Sequence, residues 1–182
     1  GRRASDFLLS PWLTFLFFII AAPLIGAGCA KPAGIQADAG DGIDLTDRFF
    51  VINPVAADTR INRRLAVIRK GLRREALVLV APVRVRASLK GASGRRMLEG
   101  SATPMFNIGD GIRMDVYLSR AGKRFFIGSR YFDAARKEED RDWIPIAFPL
   151  DLGKDDQLEI EVSAGPQGDL TADWLALSSL RL

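Results

Sequence analysis

Short segments in which apolar and polar residues alternate constrain the fold of this chain more than any other feature. In residues 83–89, VRVRASL, the valines fall on one side and the arginines on the other. Residues 112–118 and 158–162 alternate in the same way. A period of two is typical of a β-strand with one buried face. Such strands, separated by turns rich in Gly and Pro, predict an all-β antiparallel β-sandwich over residues 48–182.

The segment 59–75, TRINRRLAVIRKGLRRE, admits two interpretations. Apolar residues recur in it at helical spacing, namely at Ile61, Leu65, Ile68 and Leu72. With its many Lys and Arg residues, that pattern is typical of a basic amphipathic helix on anionic lipid. The β-branched residues and Gly71 favour instead a hairpin that turns at Lys70-Gly71.

Residues 7–30 contain no charged residue. A helix of this length spans about 36 Å, against roughly 30 Å of bilayer hydrocarbon. Residues 1–30 are therefore predicted to form a transmembrane anchor or a secretory signal, and residues 31–47, rich in Pro, Ala, Gly and Asp, a tether. Arg2 and Arg3 place the amino terminus in the cytoplasm and the large domain outside, since basic residues stay on the cytoplasmic side.

The end of the apolar run, Leu24-Ile25-Gly26-Ala27-Gly28-Cys29, resembles the lipobox of bacterial lipoproteins. That resemblance implies cleavage before Cys29 and lipidation of its thiol. The alternative is a retained single-pass helix, in which small residues such as Ala21 and Gly26 permit close packing against other helices. Either version predicts a domain on the periplasmic or extracellular side of a bacterial cytoplasmic membrane.

Composition argues against catalysis. The chain has no histidine and a single cysteine, which removes the commonest general base and the usual zinc ligands. Paired acids such as Glu138-Glu139 and Asp155-Asp156 lie in charge-rich loops. Asp110, Asp169 and Asp173 offer oxygens suited to calcium, but no dense D-x-D-x-D run exists. We therefore predict no enzyme activity, no cofactor and no metal site.

The turn Gly109-Asp110-Gly111 invites comparison with a phosphate-binding loop. Such a loop opens onto a helix amino terminus, whereas this turn leads into an alternating strand. It is therefore predicted to be a corner, with positive φ at glycine and with the Asp110 side chain bonded to local backbone.

Several short motifs resemble one family over residues 72–182. They are Val80-Ala81-Pro82-Val83-Arg84-Val85, Ile108-Gly109-Asp110-Gly111-Ile112, Arg141-Asp142-Trp143, Ala164-Gly165-Pro166-Gln167-Gly168-Asp169 and Ala172-Asp173-Trp174. Together they resemble the novel putative carbohydrate-binding modules, which are bacterial extracytoplasmic proteins. The resemblance implies a jelly-roll version of the sandwich and a role in binding sugars.

Five residues are possible ligand or partner contacts. Trp143, Trp174 and Tyr117 have rings that match the C–H face of a sugar, although burial is the favoured fate of the two tryptophans. Arg84 and Arg86 contribute to a basic region that suits lipid head groups, an acidic polysaccharide or an acidic protein. The net charge is only +4, and the basic stretches lack interleaved aromatic residues, so nucleic acid is not a predicted partner.

Two functions follow from these observations. The first is a non-enzymatic accessory subunit, anchored in the membrane, that packs against and stabilises a larger bacterial membrane complex. The alternative is a lipoprotein carbohydrate-binding module for cell-wall or extracellular polysaccharide.

Overall fold

The computed structural model describes residues 42–52 and 61–182, and these residues form ten β-strands and one short 3-10 helix. The strands are β1 (Phe49–Val51), β2 (Ile61–Arg69), β3 (Leu72–Val80), β4 (Val83–Ser88), β5 (Gly94–Pro104), β6 (Ile112–Arg120), β7 (Lys123–Phe132), β8 (Ile144–Leu152), β9 (Gln157–Ala164) and β10 (Trp174–Arg181). The 3-10 helix, Glu138–Arg141, lies between β7 and β8. Within the described ranges, no helix has the length and apolar character needed to cross a bilayer. The predictions for residues 7–30 and for Cys29 concern residues outside those ranges.

The strands build two five-stranded sheets. The first has the order β1-β4-β9-β6-β7 and the second the order β2-β3-β10-β5-β8, and all the pairings are antiparallel. Their inward faces meet in one hydrophobic core. The prediction of an all-β antiparallel sandwich is confirmed.

Alternation along the strands determines which residues enter the core. In β4, Val83 and Val85 are buried between the sheets, and their neighbours across the sheet, Val162 and Ile160, are buried with them. Burying each such side chain stabilises the fold by about 1.5–3 kcal/mol. The polar residues between them consequently project from the outer face of the first sheet.

Residues 61–75 form the hairpin and not the helix. Arg69 pairs with Leu72, and the two residues between them, Lys70 and Gly71, both have positive φ, at 44° and 80°. A two-residue turn of this conformation matches the right-handed twist of the strands it joins. The interpretation of this segment as an amphipathic helix is wrong.

The two ends of the described chain pack together. The Leu45 N–H donates to the carbonyl oxygen of Leu180 at 2.9 Å, and the Leu182 N–H donates to that of Ile43 at 3.2 Å. The Leu45 side chain is fully buried in the core. Ile43 and Leu45 thus contact the sandwich, although they fall within residues 31–47, which were predicted as a tether.

Candidate arginine–tyrosine face

The outer face of the first sheet carries a cluster of charged and aromatic side chains. We call it the arginine–tyrosine face; it consists of Arg84, Arg86, Arg113, Asp115, Tyr117, Arg124, Phe126, Glu159 and Glu161. The strand register aligns four of these residues in a row across β4, β9, β6 and β7. In that row Arg86 pairs with Glu159, Glu159 with Tyr117, and Tyr117 with Phe126.

Glu159 lies at the centre of the face and is fully buried. Arg86 Nη2 lies 2.7 Å from its Oε1, and Arg124 Nε lies 2.9 Å from its Oε2. A buried carboxylate loses its hydration, and opposite charges at these distances offset that loss. Glu159 therefore holds two arginines, from β4 and β7, in fixed positions.

Glu161 forms a second bridge beside it. Arg84 Nε lies 3.3 Å from one of its oxygens, and Arg124 Nη2 lies 2.8 Å from the same oxygen. Burial alone would raise the pKa of Glu161, but its hydrogen bonds to Arg124 and Arg84 hold that pKa below its usual value. The carboxylate is therefore charged at neutral pH.

Two aromatic rings complete the face. The Arg124 guanidinium lies 3.8 Å from the centroid of the Tyr117 ring, a cation–π contact. Tyr117 meets Phe126 edge to face, with ring centroids 5.5 Å apart. The Phe126 side chain is 58% exposed. Its neighbour Phe125, 48% exposed, pairs instead with the buried Leu118 and so belongs to the opposite side of β7.

This arrangement suits a ligand that has both apolar and hydroxyl surfaces. An exposed ring offers a flat apolar contact, and the arginines and carboxylates around it donate and accept hydrogen bonds. Their ion pairs fix the polar groups before any ligand arrives, which reduces the entropy lost on binding.

Of the five predicted contact residues, the structure brings together Arg84, Arg86 and Tyr117. It also corrects the prediction that the two arginines contribute to a basic region, because each is paired with a glutamate of β9. Arg113 is likewise paired, its Nε lying 2.9 Å from Asp115 Oδ1. The face is thus a neutralised network with little excess positive charge.

Trp143 lies elsewhere, in a second apolar cluster with β2, β3 and β10, and is nearly fully buried. Its indole N–H donates to the carbonyl oxygen of Leu72 at 3.4 Å, and the Arg74 guanidinium lies 5.3 Å from its ring centroid. The Trp143 ring is therefore buried, which is the fate that the sequence favoured for it.

Trp174 begins β10 and is partly buried against the same cluster. Its ring contacts that of Phe106 edge to face, with centroids 5.7 Å apart. Trp174 belongs to the second sheet, so it does not join the arginine–tyrosine face.

Six members of the face were not among the sequence predictions: Arg113, Asp115, Arg124, Phe126, Glu159 and Glu161. A signal for the two glutamates exists in residues 158–162, LEIEV, where acids occupy the outward positions of an alternating strand. The outward acids of this segment match the outward arginines of VRVR in β4 in spacing and are opposite to them in charge. Nothing in the sequence, however, indicates that these two strands are neighbours.

The turn Gly109-Asp110-Gly111 is confirmed as a corner, since the two glycines have φ of +87° and +98°. The hydrogen-bond partner of the Asp110 side chain is nevertheless far away in the sequence. The Asp110 carboxylate accepts a hydrogen bond from the Gln167 backbone N–H, 57 residues along the chain, and the Tyr131 hydroxyl donates to the Asp110 carbonyl. The expectation of a local backbone partner for Asp110 is wrong, because the turn packs against the loop between β9 and β10.

Asp173, from the end of that loop, is also buried. Burial, together with the smaller effect of the negative charges of Asp110 and Asp169, raises the pKa of Asp173 to about 7. Within residues 42–52 and 61–182, no group of three or more His, Cys, Asp or Glu side chains is arranged to hold a metal ion.

No known family model matches the sequence, and no curated protein is significantly similar to it. Solved structures do match the fold. One is the CBM51 module of Clostridium perfringens GH95, in complex with methyl-galactose. It is 13% identical, with a TM-score of 0.50, over 78% of this chain and 99% of that one. The two proteins share a β-sandwich fold.

A second match is the structure of the CBM51-2 and INT domains of Clostridium perfringens ZmpB, which is 7% identical with a TM-score of 0.50. The match covers 74% of this chain and 29% of that one. At such low identities the likeness concerns the fold alone, and it assigns no ligand-binding residue.

Proposed function

We propose that this domain is a non-catalytic carbohydrate-binding module that holds a neutral glycan on the arginine–tyrosine face. The observation that carries the proposal is the exposed Phe126 ring beside Tyr117, within a network of fixed hydrogen-bonding groups. A β-sandwich fold shared with a module in complex with methyl-galactose supports it.

The charges of the face favour a neutral sugar over an anionic one. Every arginine of the face has a carboxylate partner within it. An acidic sugar would have to displace a glutamate or an aspartate from its arginine, whereas sugar hydroxyls can use the remaining donor and acceptor positions.

Replacing Phe126 with alanine tests the proposal. Because the ring is largely exposed, the variant is expected to fold normally. We expect its affinity for a glycan that binds the unmodified chain, identified on a glycan array and measured by calorimetry, to fall at least about tenfold. Phe125→Ala is the matched control, since it removes a ring of similar exposure from the other side of the strand. Equal effects of the two substitutions, or no glycan binding at all, would refute this role for the face.

We also propose that the domain lies outside the bacterial cytoplasmic membrane, because residues 7–30 are uncharged and Arg2 and Arg3 precede them. Mass spectrometry of the protein extracted from native membranes tests this. A diacylated chain that begins at Cys29 identifies a lipoprotein, and an unprocessed chain in the membrane fraction identifies a retained helix. An unprocessed, unlipidated chain in the aqueous fraction rules out both. The role as accessory subunit of a membrane complex depends on the same residues and stays a prediction.

A further inference from the structure

Two buried carboxylates at the loop end of the sandwich have polar atoms without partners. Asp173 is 1% exposed, and neither of its carboxylate oxygens accepts a hydrogen bond. Asp110 is 3% exposed; its Oδ2 accepts from Gln167, but its Oδ1 has no partner. Buried polar atoms are nearly always paired in folded proteins, so these three unpaired oxygens require an explanation.

The acidic surroundings of Asp173 further increase the free-energy cost of burying its carboxylate. The charged groups that act on Asp173 are Asp110 and Asp169, which are both acidic. Removing an ionised carboxylate from water costs several kcal/mol unless a positive charge offsets it. Elsewhere in this protein arginine supplies that charge, as Arg86 does for Glu159. At this end of the sandwich the described residues place no arginine or lysine beside Asp173.

Gly109 lies close to a backbone oxygen and to Asp173. Gly109 has φ +87°, and a Cβ placed on it would lie 3.0 Å from the carbonyl oxygen of Thr171 and 3.7 Å from Asp173 Oδ1. A backbone oxygen and a carboxylate oxygen therefore converge beside Gly109, where there is no side chain. Asp169 is not part of this group: it is exposed, and its Oδ1 accepts a hydrogen bond from the Thr171 N–H at 2.8 Å.

We propose that Asp110 and Asp173 bind one hard divalent cation, best matched by calcium. Asp110 Oδ1, both oxygens of Asp173 and the carbonyl oxygen of Thr171 are its protein ligands, and water completes the shell. Calcium takes six to eight oxygen ligands in flexible geometry, including bidentate carboxylates, whereas magnesium demands a stricter octahedron.

Such an ion would join two loops that already meet through the hydrogen bond from the Gln167 N–H to Asp110. Asp110 belongs to the loop between β5 and β6, and Asp173 to the loop between β9 and β10. Both loops lead into strands of the core, β6 and β10. Cation binding should therefore stabilise the native state by mass action.

The test uses the full chain in mild detergent, stripped with EDTA and then titrated with CaCl₂ at constant ionic strength. We expect Tm to rise saturably and equilibrium dialysis to give one Ca²⁺ per chain. Terbium should bind in place of calcium, and the adjacent Trp174 should sensitise its emission. Calcium should then quench that emission by displacing terbium. Asp173→Asn should abolish both the Tm shift and the sensitised emission.

Asp155→Asn is the control, because Asp155 is an exposed acid in the turn between β8 and β9, at the opposite end. It should leave both signals intact. If Asp173→Asn folds poorly, the terbium emission of the unmodified chain still decides the matter. The proposal fails if that chain shows no saturable binding of either ion, or if Asp155→Asn removes the signals as completely as Asp173→Asn. It also fails if Asp173→Asn raises Tm while calcium leaves the unmodified chain unchanged, since a shared proton would then explain the pair.

Discussion

Several buried carboxylates of this sandwich are paired with arginines. Asp156 lies in the turn between β8 and β9, and its side chain is fully buried. Arg120 Nε donates to its Oδ1 at 2.8 Å, and Arg120 Nη2 donates to its Oδ2 at 2.7 Å. The Gly153 N–H donates to Oδ2 as well, at 2.8 Å. One carboxylate thus joins the end of β6 to the turn after β8.

Asp156→Asn should destabilise the protein at neutral pH and make its stability less sensitive to acid. The hydrogen bonds from Arg120 lower the pKa of Asp156, and the Gly153 N–H lowers it further, although burial opposes both. A depressed folded pKa contributes stability above the unfolded value of about 3.9, and that stability is lost as pH falls through the folded pKa. We expect a loss of about 1–3 kcal/mol at pH 7, measured by urea unfolding, that shrinks as pH is lowered below about 4.

The neighbouring substitution Asp155→Asn controls for the change in net charge, because Asp155 is exposed. It should alter the free energy of unfolding by less than about 0.5 kcal/mol. A penalty for Asp156→Asn that stays constant from pH 7 to pH 3 would show that ionisation of Asp156 is not the cause.

At the scale of elements, the β2–β3 hairpin differs from the other strand pairs because its outward side is covered. Trp143 packs on it with the residues Val67, Ala76, Val78 and Ala176. Arg69, near the hairpin turn, donates to the carbonyl oxygen of Pro104 at 2.7 Å and so reaches the end of β5. The second sheet is therefore covered on part of its outer side, whereas the first sheet presents the arginine–tyrosine face to solvent.

Trp143→Ala should consequently be a stability variant and not a binding variant. Removing the ring opens a cavity against the hairpin, at a cost of about 3–5 kcal/mol. Chemical denaturation should report that loss, while Leu170→Ala, at an exposed apolar residue, should change little. A Trp143→Ala protein of unchanged stability but weaker glycan binding would place this ring on a ligand surface instead.

At the scale of the whole molecule, two groups of charged residues lie in different parts of the sandwich. The arginine–tyrosine face lies on strands β4, β9, β6 and β7 of the first sheet, and its charges are paired within it. Asp110 and Asp173 lie instead in loops at one end, and their charges are not compensated by basic residues there. The arginine–tyrosine face and the proposed cation site can therefore be altered independently, and each experiment above affects only one of them.

The sequence by itself determined the class of fold and the inward face of most strands, because a period of two leaves only one face of each strand apolar. It also determined the corner at Gly109 and Gly111, since that conformation depends on the two glycines that flank Asp110. It could not determine which strands are neighbours. Glu159 comes to lie between Arg86 and Arg124 because β9 runs beside β4 and β6, and strand order depends on long-range packing. For the same reason, the sequence could not predict that Gln167 donates a hydrogen bond to Asp110 or that Asp173 lies near Gly109. Only the tertiary structure decided these contacts.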